Sequence, residues 1–327
     1  MTPTDADYQR AVELLRAGEL VAIPTETVYG LGADAANPAA VAKIFAAKGR
    51  PADHPLIVHL PDASHLERWA VDIPEAARKL AAAFWPGPLT LILKRHPSVL
   101  DAITGGQDTV GLRVPSHPLA LQLLREFDGA NGGGLAAPSA NRFGHVSPTT
   151  VAHVREELGD AVAMILDGGP CAVGIESTIL DLSGSEPRIL RPGMIGAPAI
   201  GAILGRIPEF GGTQNAPRVS GSLEAHYAPH TPLQLVGPTE LATTVRQALD
   251  TGRRVAVLAN QPLAFSHENL AWCPASADPA QFAHDLYARL RELDAMGCDL
   301  LLVASPPGDE AWRAVTDRLR RAAAGSK

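Results

Sequence analysis

The chain has 327 residues, 46% of them hydrophobic, which is enough for two domains that each bury a core of their own. Its formal net charge of −7 and isoelectric point near 5.9 argue against a broad basic face, so stable nucleic-acid binding is not expected. A small anionic ligand remains compatible with this charge, because its site needs only a few well-placed cations and most of the 28 basic residues are arginine.

The amino-terminal segment and the cysteines predict a cytoplasmic protein with no membrane partner. "MTPTDADYQR" is acidic and polar where a secretory signal is basic and then apolar, and no stretch approaches the ~20 apolar residues of a membrane span. Cys171, Cys273 and Cys298 are far apart and form no CxxC pair, which indicates reduced thiols. No protein-bound metal is therefore expected.

The first elements in chain order are a helix, a strand and a second helix. A helix capped by Thr4 or Asp5 precedes an apolar strand at 20–23, and Asn37 caps a helix that Gly49 ends. Between them, "PTETVYGLG" is predicted to be a loop that leads into a glycine-rich turn.

Seven further short apolar runs are strand candidates, with helices between some of them. They are residues 55–60, 89–93, 109–114, 135–139, 161–166, 177–182 and 188–190. Several follow one another too closely for crossover helices, so we expect an α/β domain with a mixed sheet.

The periodic pattern breaks at residues 207–232, which are rich in Gly, Pro, Ser and Asn and are typical of a linker. Beyond it, "LQLV", "RRVAVLAN" and "CDLLLVAS" are predicted strands that alternate strictly with helices near 240–249, near 281–296 and from about 310. This pattern predicts a small doubly wound parallel domain. It contains no GxGxxG and no Walker loop, so no nucleotide site is assigned to it.

The first candidate site residues lie in two loops. Thr25 and Thr27 follow a strand and suit a small polar substrate, although for this loop taken alone a turn whose hydroxyls bond their own backbone is the more ordinary interpretation. In "KGRPADHPL", Lys48 and Arg50 lie at a helix end, where cations are favourable in any case, or they contact phosphate from a proline-stiffened loop. His54 and His59 lie nearby, but no third ligand stands at metal-binding spacing, so a metal site is not expected there.

Arg113 lies inside the apolar run "TVGLRV", where an unpaired guanidinium would be costly to bury. It therefore needs an anionic partner. That partner is either a structural Glu or Asp, or the carboxylate of a substrate held by the two-pronged guanidinium group.

"APSANRFGHVSPTT" carries the sharpest local signal. A strand ends in Ser139 and Asn141, a Gly-containing turn follows, and Ser147 is predicted to cap a helix with Pro148 at its first position. The free N–H groups of such a helix start bind anions, so the segment fits a cradle for phosphate and sugar, although serine caps are common.

Ser177 at a strand start and Arg191 just past a strand end complete the inventory. The arginines adjoin strand ends together with Ser and Thr groups, and no GxSxG or Cys/His signature appears. Such residues suit a reaction that needs only positioning and charge stabilisation, such as attack of an oxygen nucleophile on phosphorus.

Five ordered blocks, "PTETVYGLG", "KGRP…PLIVHL", "LRVP", "APSANRFGHVSPT" and "GIESTILDL…ILRPG", resemble the YrdC/Sua family of threonylcarbamoyl-AMP synthases over about residues 8–205. The "HYAP" of residues 226–229 and the domain after it resemble the long form of that family. The resemblance implies a YrdC-like catalytic domain at 1–206 with a twisted mixed sheet. It further implies a linker at 207–232 that covers the active site, and a small Rossmann-like domain at 233–327.

The resemblance also implies an activity. The family joins L-threonine, bicarbonate or CO2, and ATP with Mg2+ into L-threonylcarbamoyladenylate and pyrophosphate. The product passes to a tRNA threonylcarbamoyl transferase complex, which forms N6-threonylcarbamoyladenosine in tRNAs that read ANN codons. Mg2+ is expected to be held mainly by the phosphates of ATP.

Carried onto this chain, the resemblance assigns residues to each role. L-Threonine is assigned to Thr27, His59, Arg113 and Ser177, and ATP to Arg50, His54, Thr109, Ser139, Asn141, Ser147, Arg191 and Tyr227. Lys48, Arg50 and Arg113 are expected to be catalytic, with Lys48 supporting the phosphates. His54 stands where many members have Asn, which leaves its nucleotide contact open.

Two other functions compete with this assignment. A non-catalytic tRNA-binding or double-stranded-RNA-binding module of the same fold is disfavoured by the acidic isoelectric point. A carbamoyl-transfer domain of hydrogenase maturation is disfavoured because its acylphosphatase and CxxC zinc modules are absent from this sequence.

Overall fold

The computed structural model describes residues 3–128, 133–212 and 216–326. Its contacts divide the chain into two units. The first contains the chain up to Phe143 together with Ser147–Ser222, and the second contains Gly144–Val146 together with the chain from Leu223 onward. Within the described ranges, no helix combines the length and the apolar character needed to cross a membrane.

Helices and strands alternate through most of the first unit. Its helices are Asp5–Arg16 (α1), Pro38–Lys48 (α2), Leu66–Trp69 (α3), Glu75–Phe84 (α4), Asp101–Thr104 (α5), Pro118–Asp128 (α6), Val151–Leu158 (α7) and Ala197–Leu204 (α8). Its strands are Val21–Ile23 (β1), Gly30–Asp34 (β2), Ile57–His59 (β3), Leu89–Lys94 (β4), Thr109–Arg113 (β5), Leu135–Ala136 (β6), Met164–Ile165 (β7), Thr178–Asp181 (β8), Arg188–Arg191 (β9) and Glu209–Phe210 (β10).

These strands form one mixed sheet in the order β10-β9-β8-β4-β5-β3-β6-β2-β1-β7. The pairs β3/β5 and β4/β8 are parallel, whereas β4/β5 and β8/β9 are antiparallel. The mixed sheet predicted from the spacing of the strands is therefore confirmed. At its centre, His59 lies opposite Arg113 and Leu91 opposite Leu112, so residues far apart in sequence become neighbours.

The two predicted helix starts near the amino terminus are confirmed. Thr4 caps α1 in a capping box: its hydroxyl accepts from the backbone N–H of Asp7, and the carboxylate of Asp7 accepts from the backbone N–H of Thr4. The side chain of Asn37 accepts from the first backbone N–H groups of α2. Gly49 ends α2 with φ of 61°, a left-handed conformation that glycine adopts without a steric cost.

Three local predictions in the first unit are wrong. Gly30–Asp34 is a strand and not a glycine-rich turn; a Cβ on Gly32 would lie 3.0 Å from the carbonyl oxygen of Val21, so glycine permits close pairing with β1. The strand predicted at 135–139 ends at Ala136, before a proline that cannot donate to the ladder. The strand predicted at 161–166 shortens to β7 because residues 159–161 form a 3-10 turn.

The second unit contains a separate sheet. Its elements are Leu233–Val236 (β11), Leu241–Asp250 (α9), Val255–Ala259 (β12), Leu270–Pro274 (β13), Pro279–Asp294 (α10), Leu300–Ala304 (β14) and Arg313–Gly325 (α11). The strands are all parallel, in the order β11-β14-β12-β13, which confirms the predicted parallel domain.

The strict alternation predicted for this second unit is wrong. β13 follows β12 without a helix between them and pairs with it in parallel. β13 is an edge strand whose Trp272 is 40% exposed, and its short apolar run at 270–273 was not predicted to be a strand. The linker boundaries at 207 and 232 stay a prediction.

Candidate active site

The site is built on one face of the central strands of the first unit. In β5, Val110 and Leu112 join the main hydrophobic core, so Thr109, Gly111 and Arg113 point to the opposite face. A Cβ on Gly111 would meet side-chain atoms of three neighbouring strand residues at 3.2–3.6 Å, which shows that they share this face. We call it the site face: it carries Ile57, Thr90, Ile92, Thr109, Gly111, Arg113 and Ile179.

Arg113 ends β5 on the site face and is almost fully buried. Its Nη2 donates to Oε1 of Glu26 at 2.6 Å, its Nη1 donates to the hydroxyl of Thr27 at 2.9 Å, and its Nε donates to the carbonyl of Gly87 at 3.3 Å. The structure thus supplies an internal acid as its partner. A guanidinium has five N–H donors, and these bonds to described residues use three, which leaves two donors for a second carboxylate within that part of the chain.

The loop after β1 holds Arg113 through an ordered chain of hydroxyls. Thr25 donates its single proton to the carbonyl of Val28 at 2.7 Å, so the 2.9 Å bond between the two threonine hydroxyls is donated by Thr27. The other lone pair of Thr27 accepts from Arg113. Thr25 therefore fits the ordinary turn interpretation, whereas Thr27 faces the guanidinium.

His59 lies beside Arg113 at the end of β3 and is 3% exposed. Burial, with a smaller contribution from the Arg113 guanidinium, lowers the pKa of His59 to about 3, so the ring is neutral at physiological pH. Its Nδ1 is buried and has no hydrogen-bond partner among the described residues. A buried nitrogen of this kind can bind a polar group of a ligand at little further desolvation cost.

Ser177 and Arg191 extend this polar surface across β4, β8 and β9. The hydroxyls of Ser177 and Thr90 lie 2.8 Å apart, both fully buried. Arg191 donates through Nη2 to the hydroxyl of Ser177 at 3.2 Å and through Nε to its carbonyl at 3.1 Å. Residues predicted to contact threonine and ATP are thereby brought into direct contact.

Arg50 reaches the same region from the loop after α2. Its Nη2 donates to the carbonyl of Pro55 at 2.9 Å and to the hydroxyl of Ser220 at 3.2 Å. The carbonyl of Ser220 in turn accepts from Nη1 of Arg191 at 2.8 Å. Arg50 and Arg191, 141 positions apart in the numbering, therefore meet at one serine.

Lys48 braces the loop that carries two predicted nucleotide residues. Its Nζ donates to the carbonyls of Ser139 and Asn141, both at 2.5 Å, and it is 3% exposed. Burial, and secondarily the Arg50 guanidinium, hold the pKa of Lys48 well below its usual value. These contacts orient the backbone of the loop, and the predicted phosphate contact of Lys48 stays a prediction.

Ser147 is not the helix cap that its sequence context predicts. α7 begins three residues after Pro148 and is capped by Thr150, because the carbonyl of Pro148 already accepts from the backbone N–H of Tyr29 at 2.9 Å. The hydroxyl of Ser147 instead donates to Oε1 of Glu176 at 2.6 Å and is fully buried. The predicted helix-start anion site is therefore absent at this residue.

His54 and Thr109 border the site on the Arg50 side. The ring of His54 packs edge-on against Phe143, with centroids 5.1 Å apart, and the guanidinium carbon of Arg50 lies 5.6 Å from the same Phe143 ring. Burial, then the Arg50 charge, lowers the pKa of His54. Thr109 lines a small hollow, partly open to solvent, between the site face and residues 218–220.

Tyr227 belongs to the second unit and packs within it. Its ring lies 5.7 Å from that of Tyr287 and 5.3 Å from the guanidinium carbon of Arg318, and the residue is 1% exposed. Its φ of 62° is unusual for a residue with a side chain, so the packing holds a strained backbone. Its predicted role at the nucleotide stays a prediction.

Four residues of this region were missed by the sequence reasoning: Glu26, Gly111, Glu176 and Ser220. A signal for Gly111 was present, because "TVGLRV" alternates between large apolar residues and Thr, Gly and Arg with the period of a strand. Glu26 and Glu176 precede Thr27 and Ser177 directly. Nothing in the sequence indicated Ser220, which reaches the site only through tertiary folding.

Comparisons with known proteins bear on the whole chain. Residues 13–193 match the family model described as Sua5_yciO_yrdC, telomere recombination, and residues 195–324 match the model for the C-terminal domain of threonylcarbamoyl-AMP synthase. The threonylcarbamoyl-AMP synthase of Bacillus subtilis is 42% identical, over 99% of this chain and 95% of that protein. That of Pyrococcus abyssi is 38% identical, over 95% and 92%.

A solved structure, P. abyssi Sua5 complexed with L-threonine, has the same fold. It superposes with a TM-score of 0.90 at 36% identity and covers 100% of this chain and 96% of that one. Together with the two family models, these full-length likenesses show that the chain belongs to the Sua5-type, two-domain family of threonylcarbamoyl-AMP synthases.

Proposed function

We propose that this chain joins L-threonine, bicarbonate or CO2, and ATP into L-threonylcarbamoyladenylate with release of pyrophosphate. The observation that carries this proposal is the gathering of Arg113, Thr27, His59 and Ser177 with Arg50 and Arg191 on one sheet face, in a chain of this family. The arrangement has hydroxyls, a neutral imidazole and cations but no activated protein nucleophile, which suits a reaction driven by positioning and charge.

L-Threonine is proposed to bind around Arg113. The two remaining guanidinium donors would hold its carboxylate, while Glu26 keeps the guanidinium in place. The hydroxyl of Thr27, Nδ1 of His59 and the hydroxyl of Ser177 would contact its other polar groups. A neutral His59 fits this role, because a second positive charge beside Arg113 is disfavoured in a buried site.

ATP is proposed to occupy the adjoining region. Arg50 and Arg191 would contact its phosphates, and the loop held by Lys48 would present Ser139 and Asn141 to it. The remaining residues assigned to ATP are His54, Thr109, Ser147 and Tyr227.

The proposed reaction is an in-line displacement at phosphorus. A carbamate forms from the neutral amine of threonine and CO2, with one proton released to water. A carbamate oxygen then attacks the α-phosphorus of ATP, and the bond from the α-phosphorus to the oxygen that bridges to the β-phosphorus breaks. Pyrophosphate leaves with the electron pair of that bond. No protein base is needed when the amine reacts in its neutral form, and the arginines stabilise charge on the phosphate oxygens.

Mg2+ is proposed to arrive with ATP. Within the ranges that the structure describes, no cluster of three His, Cys, Asp or Glu could hold a metal ion, and Glu26 and Glu176 at the site bond Arg113 and Ser147. These residues fit a metal carried by the phosphates. A bound Mg2+ would neutralise charge on the departing pyrophosphate.

The product is a mixed anhydride and therefore suits rapid transfer to a second enzyme. We propose that a tRNA threonylcarbamoyl transferase complex receives it, for N6-threonylcarbamoyladenosine formation in the cytoplasm. Three free cysteines are consistent with a reducing compartment.

Pyrophosphate release from ATP tests this function. We expect release that requires both L-threonine and bicarbonate, with formation of a threonine-containing adenylate detected by mass spectrometry. L-Serine and L-valine, which lack the methyl or the hydroxyl of threonine, serve as matched substrates. Release that is independent of the amino acid, or salt-dependent tRNA binding without turnover, would contradict the proposal.

A further inference from the structure

Ser220 contacts both arginines of the proposed nucleotide site, through two different oxygen atoms. Its carbonyl accepts from Nη1 of Arg191 at 2.8 Å, and its hydroxyl accepts from Nη2 of Arg50 at 3.2 Å. The hydroxyl proton goes to the carbonyl of Pro55 at 2.8 Å, which also accepts from Nη2 of Arg50 at 2.9 Å. The hydroxyl thus completes a closed set of three hydrogen bonds with Arg50 and Pro55.

Ser220 belongs to a segment, Arg218–Ser220, that we call the strap. The side-chain amide of Gln107 bonds both backbone groups of Arg218, accepting from its N–H at 2.7 Å and donating to its carbonyl at 3.1 Å. The guanidinium of Arg218 donates to Asp53 at 3.1 Å and to the carbonyl of Gly105 at 2.9 Å. The backbone of the strap is therefore anchored before it reaches Ser220.

Val219 fixes the middle of the strap to the site face. It is 8% exposed and forms a small apolar cluster with Ile92 and Ile179. Burial of one valine contributes about 2 kcal/mol, so the strap is held by packing as well as by hydrogen bonds. A segment anchored at three successive residues is a fixed part of the site.

The two guanidinium groups that meet at Ser220 repel each other. The oxygen atoms of Ser220 that contact them are uncharged, so Ser220 brings the two groups near one another without placing a negative charge between them. An anion with several phosphates is the ligand that gains most from two adjacent guanidinium groups. Ser220, which carries no charge, thus contributes to the positions of both Arg50 and Arg191.

We infer that Ser220 is a positioning residue that holds Arg50 and Arg191 together for the phosphates of ATP, and that Gln107 and Arg218 keep Ser220 in place. This inference rests on the proposed function. Ser220 does not itself need to touch the nucleotide. It acts through the orientation of the two arginines.

The test compares Ser220→Ala with Ser220→Thr, which keeps the hydroxyl. We expect Ser220→Ala to raise the KM for ATP about three- to ten-fold, the effect of one lost hydrogen bond, with a much smaller change in kcat and in the KM for threonine. Ser220→Thr should stay within about two-fold of the unmodified protein. Ser183→Ala is the matched control, since its hydroxyl bonds Asp181 at 2.7 Å in the same unit.

An unchanged or lower KM for ATP in Ser220→Ala, or an equal loss in Ser220→Thr, would overturn the inference. If Ser220→Ala folds poorly, Gln107→Ala provides a second test. We expect it to raise the KM for ATP about two-fold. A Gln107→Ala variant with an unaltered KM counts against the anchoring role.

ATP binding measured by calorimetry separates this inference from the proposed function. Unmodified protein that binds ATP but makes no adenylate contradicts the proposed function alone, and weaker ATP binding by Ser220→Ala then still supports the inference. Active protein whose Ser220→Ala variant binds ATP as tightly contradicts the inference alone.

Discussion

The central strands of the first unit and the strands of the second unit differ in how their side chains are distributed. β5 places Thr109, Gly111 and Arg113 on one face and apolar residues on the other, whereas β12 and β14 consist almost entirely of buried apolar residues. A strand with one polar face can bind a ligand while its other face packs on a core. We therefore propose that the chemistry lies on the sheet of the first unit, and that the buried apolar strands of the second unit serve mainly its packing.

Among the substitutions considered, replacement of Arg113 has the largest expected effect on activity. We expect Arg113→Ala to lower threonine-dependent pyrophosphate release at least ~100-fold, because a buried charge contact to the substrate carboxylate is lost. It should also cost about 3 kcal/mol of unfolding free energy, since Glu26 is left buried without its 2.6 Å partner.

The double variant Arg113→Met with Glu26→Gln separates these two effects. It removes both buried charges, so stability measured by urea unfolding should recover while activity stays lost. Activity that recovers together with stability would show that Arg113 is only structural.

A pair of substitutions, one in each sheet, tests the comparison directly. Gly111→Val fills the site face, where even a Cβ would lie 3.2 Å from Ile92, and should lower kcat/KM for ATP about ten-fold or more. Val257 in β12 is fully buried, so Val257→Ala should lower the free energy of unfolding by about 2 kcal/mol. Steady-state kinetics below the melting temperature should show that Val257→Ala leaves the KM for ATP and the KM for threonine unchanged. Raised KM values would mean that the second sheet affects the site.

The buried imidazole of His59 predicts a pH dependence of stability. Its folded pKa near 3 lies below the unfolded value near 6.5, so the unfolded chain binds more protons between these limits. The contribution of neutral His59 to the free energy of unfolding is complete well above pH 6.5 and is smaller by about 2 kcal/mol at pH 5. Urea unfolding at pH 7, 6 and 5 should show a steeper loss for the unmodified protein than for His59→Gln; equal slopes would contradict a buried neutral ring.

The smallest expected effect concerns the start of α7. Thr150→Ala should cost about 1 kcal/mol, because Thr150 caps the helix in the structure. Thr4→Ala, at the cap of α1, provides the reference value. If Thr150→Ala changes the free energy of unfolding in urea by less than about 0.5 kcal/mol, the result would favour the helix start at Pro148 that the sequence predicts.

Local signals in the sequence predicted the parts of the fold that depend on local physics. The caps Thr4 and Asn37 and the glycine end of α2 rest on hydrogen bonds between near neighbours, and all three are confirmed. The cap predicted at Ser147 is wrong because Tyr29, more than a hundred positions away, takes the carbonyl of Pro148. Only the fold could show this competition.

The same limit applies to the site. The need for an anionic partner of Arg113 followed from the cost of burying its charge, and Glu26 meets that need. The meeting of Arg50 with Arg191 at Ser220 depends on three segments that share no local pattern. The resemblance to a family could name the two arginines, but not the serine that joins them.

A crystal structure with L-threonine and a non-hydrolysable ATP analogue would show directly whether Arg113 binds the substrate carboxylate. We expect the threonine carboxylate to lie about 3 Å from the Arg113 guanidinium on the site face, with phosphates beside Arg50 and Arg191. Threonine bound elsewhere, with Arg113 contacting Glu26 and no ligand, would contradict it.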